Sequence, residues 1–223
     1  MGAQAFIMTK PKITNLIFDC GNVLVAFNIE IICQKLSNFS PFSPKKIFSL
    51  IYGKGLLFEG SLHHQFEIGQ LKTPDFFRQV KKAIQANSSL TLEKFKEIST
   101  SVFKENSDII ELLENVKQNF KISLLSNTNE ICWNYLKELP VIKNYFDEKN
   151  TVLSFLVGAQ KPEKAIYETA LNKFNCQANQ TVLIDDEPLN IESFVQLGGR
   201  GIKYNCQKDS LEKLSEEIRN LSF

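Results

Sequence analysis

The sequence predicts an α/β domain built on a buried parallel sheet, with a helical insert after its first strand. Three observations predict it. Four short apolar runs, Asn15–Phe18, Lys121–Leu125, Thr181–Ile184 and Gly201–Tyr204, are each followed by a polar or glycine-rich turn and then a helical pattern. Their apolar character is continuous rather than alternating, as expected of strands covered on both faces. The stretch 31–105 breaks the alternation: it is rich in Phe, Leu, Lys and Ser, carries turn signals at Pro41, Pro44, Gly53, Gly55, Gly60 and Gly69, and shows no obvious strand.

Taken in order, Asn15–Phe18 is the first strand and the insert reads as several short helices. Asp108–Gln118 places Ile109, Leu112, Leu113 and Val116 on one helical stripe. Lys121–Leu125 is the second strand, and a weaker run, Thr151–Phe155, supplies another. Pro162–Phe174 repeats Ile166, Ala170 and Phe174 at helical spacing, beside Tyr167 and Leu171, with Pro162 suited to the first turn. Two more strands follow, and after Asp209 the residues Leu211, Leu214, Ile218 and Leu221 share one helical face. Alternation of strand and helix argues a doubly wound arrangement.

Composition excludes several functions. Of 223 residues, 26 are Lys or Arg and 25 Asp or Glu, a net charge of +1, so a dedicated nucleic-acid binder or a basic membrane-surface helix is not expected. Five scattered cysteines, Cys20, Cys33, Cys132, Cys176 and Cys206, form no CxxC or Cys/His cluster, which predicts reduced thiols in a cytoplasmic protein. The start, Met1–Lys12, has no long apolar stretch for a secretory signal or a membrane span, and Phe6 stands where a myristoylation motif wants Ser or Thr. No heptads decide the oligomeric state.

Chemistry-bearing residues gather at the strand ends. Asp19 follows the first strand, where open α/β sheets bind ligands, and Gly21 lets the backbone turn tightly beside it. Ser126 and Asn127 follow the second strand. A hydroxyl there, before a helix, suits a phosphate, although an ordinary helix cap by Ser126 or Thr128 reads equally well. Lys161, just before a helix, can neutralise a phosphate or simply be a surface charge. Asp185 and Asp186 end the third apolar run. Two carboxylates beside a third are costly unless a cation neutralises them, so Mg²⁺ is implied if Asp19 lies near.

In order and together, FDCGNVLV (Phe18–Val25), LLSNTN (Leu124–Asn129), KPE..IY...L (Lys161–Leu171) and IDDEPLNIE (Ile184–Glu192) resemble the haloacid dehalogenase (HAD) superfamily over about residues 15–204. These motifs, with Phe66–Leu71 and Phe76 or Phe77 in the insert, are most similar to the sugar-phosphate phosphatase branch typified by bacterial α-D-glucose-1-phosphate phosphatase. The resemblance implies a HAD-like Rossmannoid core, residues 13–30 and 106–223, and a helical cap, residues 31–105. It implies a Mg²⁺-dependent phosphatase acting on a small phosphorylated metabolite. Asp19 matches the nucleophile that forms an aspartyl phosphate. Ser126 and the Asn127 backbone match the phosphate holders, and Lys161 the cation bridging nucleophile and phosphoryl group. Asp19, Asp186, the Gly21 carbonyl and, as a second or water-mediated contact, Asp185 match the metal site, with Asn190 in support. Glu67 falls in the cap motif that meets substrate.

One departure stands out. Most phosphatases of the superfamily carry an acid–base Asp two positions after the nucleophile, and here that position is Gly21. Either the leaving group is good enough to depart without that proton, as the anomeric oxygen of a sugar 1-phosphate is, or a cap residue, Glu67, His63 or His64, delivers it. Adjacent histidines on a helix point apart, so at most one faces the site. Cys20 and Trp133 read as core, and Arg200 as a solvated turn residue. Two other functions stay open: a haloacid dehalogenase, which also lacks the second Asp but needs no acidic pair, and a HAD-like scaffold that binds a phosphorylated ligand or a protein.

Overall fold

The structure, a computed structural model, describes residues 11–53 and 60–222. The readings of the N-terminal start and of the turn at Gly55 lie outside the described residues. Five parallel strands form the central sheet: β1 (Asn15–Phe18), β4 (Lys121–Ser126), β5 (Thr151–Leu153), β6 (Thr181–Asp185) and β7 (Arg200–Lys203), in the order β5-β4-β1-β6-β7. All four residues of β1 are buried. Successive side chains point to opposite faces, so Leu16 and Phe18 join one core cluster with Leu124, Val182 and Ile184, while Ile17 joins the other with Leu125, Val152 and Leu183. A strand buried on both faces is why the apolar runs are continuous.

Helix α6 (Ile109–Val116) lays its predicted stripe of Ile109, Leu112, Leu113 and Val116 on the first of these faces, joined there by Leu214 and Ile218 of α12 (Leu211–Arg219). The other face is covered by α10 (Lys164–Phe174), through Ile166, Tyr167 and Ala170, and by α11 (Pro188–Gln196), through Phe194. Short helices α7 (Glu130–Leu136), α8 (Pro140–Lys143) and α9 (Ser154–Val157) complete the core layer.

Among the described residues the insert holds five helices: α1 (Ile29–Ser37), α2 (Pro44–Ile51), α3 (Leu62–Glu67), α4 (Thr73–Ala83) and α5 (Leu92–Thr100). Asn28, Ser43, Ser61 and Thr91 cap four of them by accepting backbone N–H bonds from Glu30, Lys46, His64 and Lys94. Their apolar faces build a separate cluster that includes Ile131 of α7, so this bundle rests on the core helix that follows β4. Thr73 Oγ1 donates to Glu130 Oε2 at 2.5 Å across the same seam. A Cβ on Gly69, whose φ is +71°, would meet the Phe155 carbonyl oxygen, so only glycine lets the bundle come this close to α9.

Four expectations are corrected. The stretch 31–105 is not free of strand: β3 (Lys104–Glu105) pairs antiparallel with β2 (Val25–Ala26) in a two-residue ribbon. Two polar residues held by backbone bonds leave no apolar signal to read. The run Thr151–Phe155 ends as strand at Leu153, because Ser154 opens α9. Helix α10 starts at Lys164, so Pro162 precedes its first turn rather than occupying it. Arg200 opens β7 and is half-buried, rather than lying in the turn.

Candidate active site

The carboxyl ends of β1, β4 and β6 bring Asp19, Ser126 and Asp185 to one edge of the sheet, the position where such sheets bind ligands. Lys161 reaches the same point from the loop after α9. Its ammonium, 2 % exposed as a residue, lies 2.7 Å from Asp19 Oδ1 and 2.6 Å from Asp185 Oδ2. Asp185 is fully buried, and its other oxygen accepts from Glu187 N and Asn190 Nδ2, each at 2.9 Å. Both oxygens of Asp185 are therefore committed, and its carboxylate anchors Lys161. Asn190 is braced in turn by the Tyr167 hydroxyl, which donates to its carbonyl at 2.8 Å.

Asn127 fixes the lysine backbone from β4. Its Oδ1 accepts from Lys161 N and its Nδ2 donates to Lys161 O, both at 2.8 Å. Ser126 is buried, and the cap of α7 is Asn129, which accepts from Cys132 N at 3.1 Å. The ordinary-cap reading of Ser126 and Thr128 is thereby removed, and the Ser126 hydroxyl lines the cleft instead.

Asp186 is held differently. Its Oδ2 accepts from Asn22 Nδ2 at 3.2 Å and from Asn205 Nδ2 at 3.1 Å. Asn22 adopts the left-handed region at φ 54°, and its Oδ1 accepts from Phe27 N and from Gln207 Nε2. One asparagine thus ties the acidic turn after β6 to the chain leading into the insert.

Three carboxylates face one ammonium. Ligand atoms of Asp19, Asp185 and Asp186 lie within 4.8 Å of one another. Burial, opposed by Lys161 but reinforced by Asp185 and Asp186, pushes the Asp19 carboxyl up to about 7. Asp186 is raised by burial and by Asp185. Lys161 is held above its usual range: burial alone would lower it, and the two aspartates outweigh burial. A buried group of hard oxygen donors carrying surplus negative charge fits a divalent cation such as Mg²⁺.

Above this cluster a cleft of about 340 Å³ separates core and insert. Phe27, Ile29, Ile32 and Phe103 form one wall, and Tyr52, His63 and Glu67 stand on the insert side. His63 Nε2 pairs with Glu67 Oε1 at 3.1 Å.

The haloacid dehalogenase-like hydrolase family model matches residues 63–202, more than half of the chain. The chain belongs to that family. Solved structures share the fold of this HAD-like hydrolase. A HAD family enzyme from Bacteroides thetaiotaomicron, in complex with magnesium and inorganic phosphate, matches at TM-score 0.76 and 20% identity, covering 90% of this chain and 98% of that one. A HAD-like family hydrolase from Porphyromonas gingivalis matches at 0.78 and 18%, covering 94% and 99%. A 2-haloacid dehalogenase from Pseudomonas syringae pv. Tomato matches at 0.60 and 18%, covering 90% of each.

In this hydrolase, Asp19, Gly21, Ser126, Asn127, Lys161, Asp186 and Glu67 all line the one cleft, with Asn190 beside them. Of the two histidines only His63 lines it. Cys20 and Trp133 pack in the core as expected, Cys20 also reaching the cleft wall. Sequence reasoning passed over Asn22, Asn205, Gln207 and Phe27. Asn22 sits inside the FDCGNVLV motif, which was the available signal; Asn205 and Gln207 carry no pattern. Among the described residues no helix is long and apolar enough to cross a membrane.

Proposed function

We propose that this hydrolase is a Mg²⁺-dependent phosphatase of a small phosphorylated metabolite, a sugar phosphate by its motifs, acting through an aspartyl phosphate on Asp19. The observation that carries the reading is the close cluster of Asp19, Asp185 and half-buried Asp186, with Lys161 paired to the first two. Attack on carbon needs no such surplus of negative charge. Mg²⁺ held by Asp19, Asp186 and the Gly21 carbonyl, with Asp185 through water, would supply positive charge against a phosphoryl dianion.

The side chains do the rest. An ammonium has three N–H donors. Two of those on Lys161 meet Asp19 and Asp185, which leaves the third for a phosphoryl oxygen. Ser126 Oγ and the Asn127 backbone N–H take further phosphoryl oxygens. Asp19 forms the O–P bond as the bond to the leaving group breaks, and water then displaces the carboxylate from phosphorus. Residues of the insert, Glu67 among them, meet the leaving group and exclude bulk water. The recognised ligand is a small molecule, without nucleic acid or membrane.

Phosphate release from a panel of phosphate monoesters with Mg²⁺ tests the reading. Release that survives Asp19→Asn or a chelator sinks it. Gly21 favours a second reading, a dehalogenase, whose mark is halide release indifferent to chelator.

A further inference from the structure

A departing alkoxide needs a proton, and among the described residues the core side of the cleft offers no sheltered group to give one. Beside Gly21 the space is taken by the Phe27 ring, whose Cε1 lies 2.7 Å from where a Cβ would stand. Lys161, Asp19 and Asp186 are occupied with one another and their anchors. Burial pushes the Cys132 thiol up to about 12 and also raises Cys20 and Tyr52, so none of these gives up a proton readily near neutrality. Glu187 also lines the cleft, but it stands exposed to bulk water on the turn after Asp186 rather than sheltered over the site.

Among the described residues that line the cleft, this leaves His63 and Glu67. They pair one helical turn apart on α3, half-buried, on the insert side. The Tyr52 ring lies 4.5 Å from the imidazole, centroid to centroid. Cys132 faces the pair from α7, and Asp19, Lys161 and Asp186 lie on the opposite wall of the cleft.

We propose that the His63–Glu67 pair is the proton donor for the leaving group, a role that rests on the phosphatase reading above. Histidine is a common proton carrier in catalysis, and the Glu67 carboxylate holds the imidazole on the cleft wall through the 3.1 Å contact with Nε2. As Asp19 bonds to phosphorus and the ester P–O bond breaks, the electron pair on the leaving oxygen takes the proton held between His63 and Glu67. In the second displacement water adds to phosphorus and its proton returns to the pair, while the P–O bond to Asp19 breaks and restores the carboxylate. Atoms and charge balance with no further reactant. The consequence is a preference for esters of alcohols, whose oxygens must be protonated to leave.

The test compares a primary-alcohol phosphate with p-nitrophenyl phosphate, whose leaving group needs no proton. His63→Asn lowers kcat/KM for the alkyl ester by about 10²-fold or more and for the aryl ester by far less. Glu67→Gln, the milder change, removes the carboxylate partner of the imidazole and lowers kcat/KM for the alkyl ester several-fold while sparing the aryl ester. Equal losses on both esters in His63→Asn, or an alkyl-ester rate left intact by Glu67→Gln, overturn the proposal. A wild-type protein that hydrolyses neither ester with Mg²⁺ overturns the phosphatase reading itself, and the proton donor with it. Aryl-ester turnover that requires Asp19 and Mg²⁺ keeps the two failures apart.

Discussion

The Phe27 ring fills the place that a side chain on Gly21 would take, with Cε1 2.7 Å from the ideal Cβ position. Placing an acid at position 21 is therefore not a one-residue change. Gly21→Asp forces the ring aside and destabilises the protein by about 1–3 kcal/mol, the usual cost of overpacking. Phe27→Ala alone leaves a void and loses the contact with Phe103, whose ring centroid is 6.0 Å away. Combined, the two relieve each other. The double variant should be more stable than the sum of the singles by roughly 0.5–3 kcal/mol in urea unfolding. Additive losses would mean that ring and new side chain do not compete.

Lys161 stands between two carboxylates, one of them fully buried. Removing one partner of a buried ion pair leaves an uncompensated charge and costs about 3–5 kcal/mol. Lys161→Met should show that loss in denaturant unfolding with chelator present, besides abolishing turnover. Asp185→Asn frees one contact of the ammonium but keeps the Asp19 partner, so its loss should be smaller. A Lys161→Met protein as stable as wild type would contradict the burial of the cluster.

Asp19 links stability to pH. Its carboxyl is raised to about 7, first by burial, so between the unfolded value and about 7 the folded state holds the extra proton. The stabilisation is fully present below about pH 4 and is lost as pH rises through about 7. A cation binding the carboxylate competes with that proton. In thermal melts the rise in Tm on adding Mg²⁺ should be larger at about pH 8 than at about pH 5.5, and calorimetry near neutrality should show proton release on binding. An equal rise at both pH values would count against Asp19 as a ligand.

Most of what could be read in the sequence was what burial writes into it. The run Asn15–Phe18 is the whole of β1 because every residue there is covered, and the stripe Ile109, Leu112, Leu113, Val116 is the covered face of α6. Asp19, Ser126, Lys161 and Asp186 stand out in the sequence because four motifs, three of them at strand ends and one in the loop after α9, occur in a fixed order. What escaped depends on distance in the chain. Asn22 and Asp186 are 164 residues apart, and Phe27 gains meaning only from standing over Gly21. The ribbon of β2 and β3 rests on backbone bonds, which leave no trace in side-chain pattern.

Asn22 orients the acidic turn and should set how tightly the cation binds. Its amide and that of Asn205 both donate to Oδ2 of Asp186, which leaves Oδ1 to face the cluster. Outer partners that fix a ligating carboxylate change metal affinity by about 10–100-fold when lost. Replacing Asn22 by Ala would confuse two effects, because φ 54° is a left-handed conformation that Ala resists. Asn22→Gly keeps the backbone at ease and removes only the amide. The dissociation constant for Mg²⁺, measured by calorimetry without substrate, should rise by about 10-fold or more in Asn22→Gly and Asn205→Ala. Gln207→Ala breaks the bonds to Asn22 Oδ1 and to the Phe27 carbonyl but leaves Asp186 its two donors, so its effect on binding should be the smallest of the three. Unchanged binding in Asn22→Gly would show that Asp186 is held in place without it.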